Sequence, residues 1–70
     1  MKFSIMDATG HTTEQYAPAE VARAMERFQA LVAEGRTAAT RKEGASEYSV
    51  TRQFDPSAEE TLFVPRLKGG

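Results

Sequence analysis

The sequence predicts a small α+β domain in which one helix packs across one side of a sheet of four to five strands. One amphipathic helical pattern follows a pair of strand-like segments and precedes three more. A helix with one apolar stripe and strands with one apolar face bury these surfaces most readily against each other, in two layers. The chain has 70 residues, which is enough for one such domain and leaves no room for a second.

The first 16 residues predict a β-hairpin. Residues 2–7 alternate, with Phe3 and Ile5 on one face and polar side chains mostly on the other. Residues 8–11 break the alternation, and Gly10 suits a turn. The Thr-rich segment 12–16 then predicts a short second strand.

Residues 18–34 predict the single helix. Apolar side chains recur at the three- and four-residue spacing of one buried stripe, at Val21, Ala24, Met25, Phe28, Leu31 and Val32. Pro18 is tolerated in the first turn, where its missing N–H needs no partner. Gly35 follows the stripe and is expected to end the helix in the left-handed conformation.

The second half of the chain predicts three strands, at residues 37–42, 47–54 and 61–64. Asp55 and Pro56 are typical of the start of a short capped turn before the last strand. In that strand the alternation places Leu62 and Val64 inward and Phe63 outward. The predicted core consists of Phe3, Ile5, Val21, Met25, Phe28, Leu31, Val32, Tyr48, Val50, Phe54, Leu62 and Val64.

The composition argues against several classes of function. Nine basic residues against ten acidic ones leave no excess positive charge for nucleic-acid binding. No apolar run approaches the roughly 20 residues that span a bilayer. The chain has no cysteine and only one histidine, His11, so we expect no metal site. The sequence contains no nucleotide-binding motif or catalytic set, so we expect a protein that is not an enzyme and uses no cofactor. A cytoplasmic monomer is the default expectation for such a chain.

Both ends of the chain carry a family resemblance. The opening segments Met1-Lys2-Phe3-Ser4-Ile5 and Thr9-Gly10-His11-Thr12 are similar to the first strand and the following Thr-Gly-Lys-Thr turn of ubiquitin-like proteins. The closing segment, residues 61–70, resembles their last Thr-Leu strand and terminal Leu-Arg-Gly-Gly. The order of predicted elements agrees over nearly the whole chain. The sequence therefore resembles the ubiquitin-like β-grasp family of modifiers and carriers.

The resemblance implies a β-grasp fold with a mixed sheet over residues 1–64 and a flexible tail over residues 65–70. It further implies a protein modifier whose Gly70 carboxylate, preceded by Gly69, is activated by an E1-like adenylating enzyme that uses ATP and is then joined to amines of target proteins. Glycine has no Cβ, so two terminal glycines suit entry into a partner's active site. The resemblance assigns tail docking to Arg66, Leu67 and Lys68 and a partner-binding surface to Phe63. Lys42, in a predicted turn, is the candidate internal acceptor.

Two other functions fit the same residues. In a sulfur carrier of this fold, Gly70 would become a thiocarboxylate. In a non-covalent binding or assembly module, the tail would be idle. Deletion of Gly69 and Gly70 separates the last alternative from the first two, because only an idle tail is dispensable.

Overall fold

The computed structural model describes residues 1–65 as one helix packed on a five-stranded mixed sheet. The strands are β1 (Lys2–Asp7), β2 (Gly10–Gln15), β3 (Thr37–Arg41), β4 (Ser49–Thr51) and β5 (Glu60–Val64), and the helix is α1 (Val21–Ala33). Their order in the sheet is β2-β1-β5-β3-β4. β1 and β5 are parallel, and all other pairs are antiparallel. The last strand is therefore the central one.

The N-terminal hairpin is confirmed. β1 and β2 pair from Lys2 with Gln15 to Asp7 with Gly10, which leaves Ala8 and Thr9 as the turn. The pairing extends to the N-terminus, where the Tyr16 N–H donates to the Met1 carbonyl over 2.9 Å. Six paired residues on each strand fix the register of β1 before the helix begins.

The helix is also confirmed, with a different first turn. Pro18–Glu20 form a 3-10 turn that leads into α1. The Glu20 carboxylate accepts the Ala17 N–H over 2.8 Å and so satisfies a donor at the helix start. At the other end Gly35 has a φ of 96°, the left-handed conformation that the sequence predicts for it. No helix among residues 1–65 is long and apolar enough to cross a membrane.

The core lies between α1 and the sheet and is built around three phenylalanine rings. The centroid of Phe63 lies 5.1 Å from that of Phe3 and 5.5 Å from that of Phe28, both with edge-to-face geometry. The buried residues of this core are Phe3, Ile5, Ala24, Phe28, Leu31, Ala38 and Phe63, with Val32 and Phe54 packed against them.

The predicted orientation of β5 is wrong. Phe63 is fully buried against the helix, so Leu62 and Val64 lie on the opposite face of the sheet, where they are half-buried. Because side chains alternate along a strand, a shift of one residue exchanges the two faces. The register explains the choice. Phe63 lies between Ile5 and Ala38, and the small Ala38 side chain leaves room for an aromatic ring.

Four other predicted core residues are exposed: Val21, Met25, Tyr48 and Val50. β4 spans only Ser49–Thr51 instead of the predicted residues 47–54. The strand stops because the Thr51 hydroxyl accepts the Gln53 N–H over 3.1 Å, a local turn that competes with sheet pairing. A short edge strand buries little, and Val50 keeps 74% of its surface exposed.

Candidate functional site

The candidate site is the region where the chain leaves the central strand. β5 ends at Val64, and Pro65 is the last described residue. The predicted tail residues Arg66, Leu67, Lys68, Gly69 and Gly70 lie outside the described residues. The described part of the site therefore consists of the root of this segment and the sheet face that leads to it. We call the side of the sheet opposite α1 the open face.

Arg36 organises the root of the tail segment. Its guanidinium donates to Asp7 Oδ1 over 2.9 Å, to Glu34 Oε1 over 3.2 Å and to the Met6 carbonyl over 3.3 Å. The hydrogen bonds to Asp7, first, and to Glu34 raise the pKa of Arg36. The contacts with Asp7 and Met6 tie the end of β1 to the segment after α1. A shallow depression at this end of the sheet is lined by Asp7, Ala8, Glu34, Gly35, Arg36 and Pro65.

An apolar row crosses the open face beside this depression. Val50 pairs with Ala39, and Ala39 pairs with Leu62, so the three side chains lie in one line across β4, β3 and β5. Val64 lies on the same face two residues further along β5 and adjoins Pro65. We call Val50, Ala39, Leu62 and Val64 the apolar row. It is continuous with the start of the tail segment.

A charged row runs beside the apolar row, and Glu60 is its centre. Ser4 donates a hydroxyl hydrogen bond to Glu60 Oε2 over 2.6 Å, and Tyr48 donates one to Oε1 over 2.8 Å. Lys2 and Arg41 flank the carboxylate at 3.9 Å and 3.5 Å. The Ser4 hydrogen bond is the largest cause of a lowered pKa of Glu60. These contacts link β1, β3 and Tyr48, the residue before β4, to the first residue of β5.

The Glu60→Gln variant is expected to be less stable than the wild type by about 1 kcal/mol at neutral pH, because the amide keeps the hydrogen-bonding shape but loses the charge. A lowered pKa in the folded state means that the carboxylate stabilises the fold above its ordinary pKa of 4.5. This contribution disappears as the pH falls through the lowered value. Thermal unfolding of both proteins from neutral pH downward should therefore show a gap that closes in acid.

Glu59→Gln is the matched control for that experiment. Glu59 also contacts Arg41, over 2.8 Å, but its side chain is 46% exposed against 12% for Glu60. Exposed ion pairs contribute little, so the control should stay within about 0.5 kcal/mol of the wild type. Equal losses of stability in Glu60→Gln and Glu59→Gln would show that the hydrogen bonds around Glu60 do not make it the more important carboxylate.

The prediction that Phe63 forms a partner-binding surface is wrong, because its side chain is fully buried. The residues on the surface of this strand are its neighbours Leu62 and Val64. Sequence alternation alone missed this, although the preference of a phenylalanine for burial beside two others was a usable signal.

Two further predicted residues are exposed. Lys42 keeps 66% of its side chain exposed, with Nζ 3.6 Å from Asp55 Oδ2. His11 is exposed on β2. Residues 1–65 contain no group of three or more His, Cys, Asp or Glu side chains that could hold a metal ion.

The chain was also compared with known proteins. No protein-family model, curated protein or solved structure matches it. The described residues bring together the apolar row, the charged row and the depression beside Pro65.

Proposed function

We propose that this chain is a ubiquitin-like β-grasp protein modifier whose Gly70 carboxylate is activated by an E1-like adenylating enzyme and conjugated to amines of target proteins. The observation that carries the proposal is a Gly-Gly sequence that follows the last residue of the central strand, Val64, after only four intervening residues, in a chain that folds as one helix on a mixed sheet. A modifier of this type contributes one carboxylate and a docking surface, whereas the catalytic groups belong to its partners.

The arrangement of elements supports the β-grasp assignment. The chain runs hairpin, helix and three strands, and its first and last strands are parallel neighbours in the interior of the sheet. The helix crosses one face and leaves the other open. This arrangement is consistent with the one that the resemblance implies.

The proposed chemistry consumes ATP in the partner enzyme. The Gly70 carboxylate attacks the α-phosphorus of ATP, which gives an acyl-adenylate and releases pyrophosphate. A partner cysteine thiolate then displaces AMP to form a thioester. Attack by a target amine forms the amide, and the cysteine leaves as a thiol. The proposal needs no catalytic base in this chain.

The apolar row takes the place of Phe63 as the proposed docking surface for these partners. Leu62 and Val64 precede the tail segment directly, so a partner that binds them is close to the tail root. Val50 extends the row to the sheet edge and is largely exposed. Apolar side chains of this kind contribute most to a protein interface when a partner covers them completely.

The Val50→Asp variant is expected to lower transfer by the partner enzymes at least about tenfold, which corresponds to roughly 1.4 kcal/mol of lost transition-state stabilisation. Its own stability should change by less than about 0.5 kcal/mol because the side chain is exposed. Initial rates of thioester and conjugate formation at subsaturating concentrations of the variant measure the effect.

Ser49→Asp is the matched control. Ser49 is the adjacent, exposed residue of β4, and its side chain points to the opposite side of the strand. It receives the same charge and should leave transfer unchanged. Equal losses in the two variants would show that added charge on β4, rather than the apolar row, causes the effect.

The deciding experiment incubates the full chain with ATP and candidate adenylating enzymes and measures pyrophosphate release and intact mass. A modifier gives pyrophosphate and covalent adducts on other proteins. Replacement of one terminal oxygen by sulfur would instead assign the chain to the sulfur carriers. The absence of adenylation by every enzyme that acts on Gly-Gly tails would leave the non-covalent module as the function.

A Gly-Gly remnant on Lys42 would identify that side chain as an acceptor, and its absence would remove this role.

A further inference from the structure

β2 forms one edge of the described sheet, and this edge lacks the features that usually prevent pairing with another chain. Five of the six residues of Gly10–Gln15 are exposed, and Glu14 is half-buried. β2 pairs only with β1 among the strands of residues 1–65. Edge strands normally carry charged side chains, proline or a bulge that prevents pairing with another chain. β2 contains no lysine, arginine or proline, and its six residues pair with β1 without interruption.

The hydrogen-bonding groups of this edge can be assigned from the hairpin. Tyr16 pairs with Met1 through hydrogen bonds in both directions, of 2.9 Å and 3.2 Å. Inward- and outward-facing pairs alternate along an antiparallel ladder, so Glu14 and Thr12 also face β1. The N–H and C=O groups of His11, Thr13 and Gln15 therefore point to the outer edge.

The only acidic side chain of β2 is held within its own molecule. Arg27 of α1 binds the Glu14 carboxylate through both oxygens, with Nε–O distances of 3.1 Å and 3.2 Å and an Nη2–O distance of 3.0 Å. Tyr16 donates a further hydrogen bond to it over 2.8 Å. The charge of Glu14 is thus neutralised before any second strand approaches.

We propose that two copies of this chain pair through β2 in antiparallel orientation, with Thr13 at the two-fold axis. This register places His11 opposite Gln15 of the second copy and Thr12 opposite Glu14, so no like charges face each other. The outward-facing groups of three residues on each strand form about six backbone hydrogen bonds. Thr13 of one copy faces Thr13 of the other, and Thr–Thr pairs stabilise antiparallel sheets.

The other edge of the sheet is less suited to this role. β4 has three residues, Ser49–Thr51, and ends in the turn that Thr51 forms with Gln53. Arg52 follows directly. The two-fold axis of the β2 pairing stands perpendicular to the sheet. Both helices therefore lie on the same side, and the two open faces form one continuous surface with the two tail roots at opposite ends.

The dimer is expected to be weak, because one strand pair buries less than the roughly 800 Å² per partner of a standard interface. This proposal departs from the monomer that the sequence predicts, and it is independent of tail chemistry. Sedimentation of the wild type from about 10 µM to about 1 mM should show a rising fraction of dimer. Amide exchange at His11, Thr13 and Gln15 should slow over the same range, while exchange on β4 stays constant.

A charge exchange at the axis tests the register. Thr13→Lys places two ammonium groups on side chains whose Cβ atoms are about 5 Å apart, and Thr13→Glu does the same with carboxylates. Each variant alone should dimerise at least about tenfold more weakly. An equimolar mixture should recover wild-type association, because Lys then faces Glu. Ser49→Lys, on the other edge strand, is the control and should dimerise normally.

Three results would overturn the proposal. These are a wild type that stays monomeric throughout the concentration range, a mixture of the two Thr13 variants that fails to associate, and equal weakening by Ser49→Lys. Thr13 is exposed, and its side chain makes no hydrogen bond among residues 1–65, so each variant should keep the fold. Circular dichroism of each variant checks this.

Discussion

The Phe63→Ala variant is expected to lose about 3–5 kcal/mol of unfolding free energy, the usual cost of removing a buried aromatic ring. A chain of this length has about 4–10 kcal/mol in total. The variant should therefore be largely or partly unfolded at 37 °C. The cost is at the high end because the ring contacts both Phe3 and Phe28, and its removal would leave a cavity between helix and sheet. Urea unfolding followed by far-ultraviolet circular dichroism measures the loss.

Leu62→Ala is the matched comparison, since it changes the next residue of the same strand. Leu62 is half-buried on the open face, so its truncation should cost only about 1 kcal/mol. It should instead lower the rate at which the partner enzymes transfer the Gly70 acyl group, because it removes part of the apolar row. A large stability loss for Leu62→Ala with a small one for Phe63→Ala would restore the orientation that alternation alone predicts for β5.

Removal of Gly69 and Gly70 is expected to abolish adenylation and conjugation while changing the unfolding free energy by less than about 0.5 kcal/mol. The proposed reaction uses the Gly70 carboxylate itself. A shortened chain ends in Lys68, whose side chain and altered reach do not suit an active site built for glycine. Pyrophosphate release with a functional adenylating enzyme, together with thermal unfolding, measures both effects.

A double variant with Gly69→Ala and Gly70→Ala separates chain length from the shape of the last residues. It keeps the carboxylate at the same distance from β5 but adds two Cβ atoms. We expect at least about a tenfold loss, since alanine lacks the backbone freedom of glycine. A shortened chain with full biological activity would contradict the modifier and carrier functions together and favour the non-covalent module.

The spacing of apolar residues was sufficient to predict those elements in which a single helical or strand period dominates. The helix follows from the spacing of Ala24, Phe28 and Leu31, and its end follows from Gly35. The hairpin follows from the alternation around Phe3 and Ile5 and the turn before Gly10. In both elements the buried side chains belong to the pattern, although Val21 and Met25 at the margin of the helix stripe are exposed.

Local pattern failed where both faces of a strand carried apolar residues. Thr61-Leu62-Phe63-Val64 can be read in two phases, and two aliphatic residues outweighed one aromatic ring in the alternation. The same difficulty affected Val50, whose strand-like surroundings predicted burial although β4 lies at the sheet edge. Position within the sheet, which no local window contains, decided these residues.

The helix, the first hairpin, the balance of charge and the Gly-Gly sequence on which the proposed function depends can all be derived from the residues alone. Packing between distant segments selects which face of β5 meets the helix, which strands form the edges and which carboxylate is enclosed by hydrogen bonds at one end of the open face. Hydrophobic periodicity fixes how an element can be buried, whereas the neighbours that fill the space beside it fix which side is buried. For β5 those neighbours are Phe3, Phe28 and the small Ala38, residues that are distant in the chain.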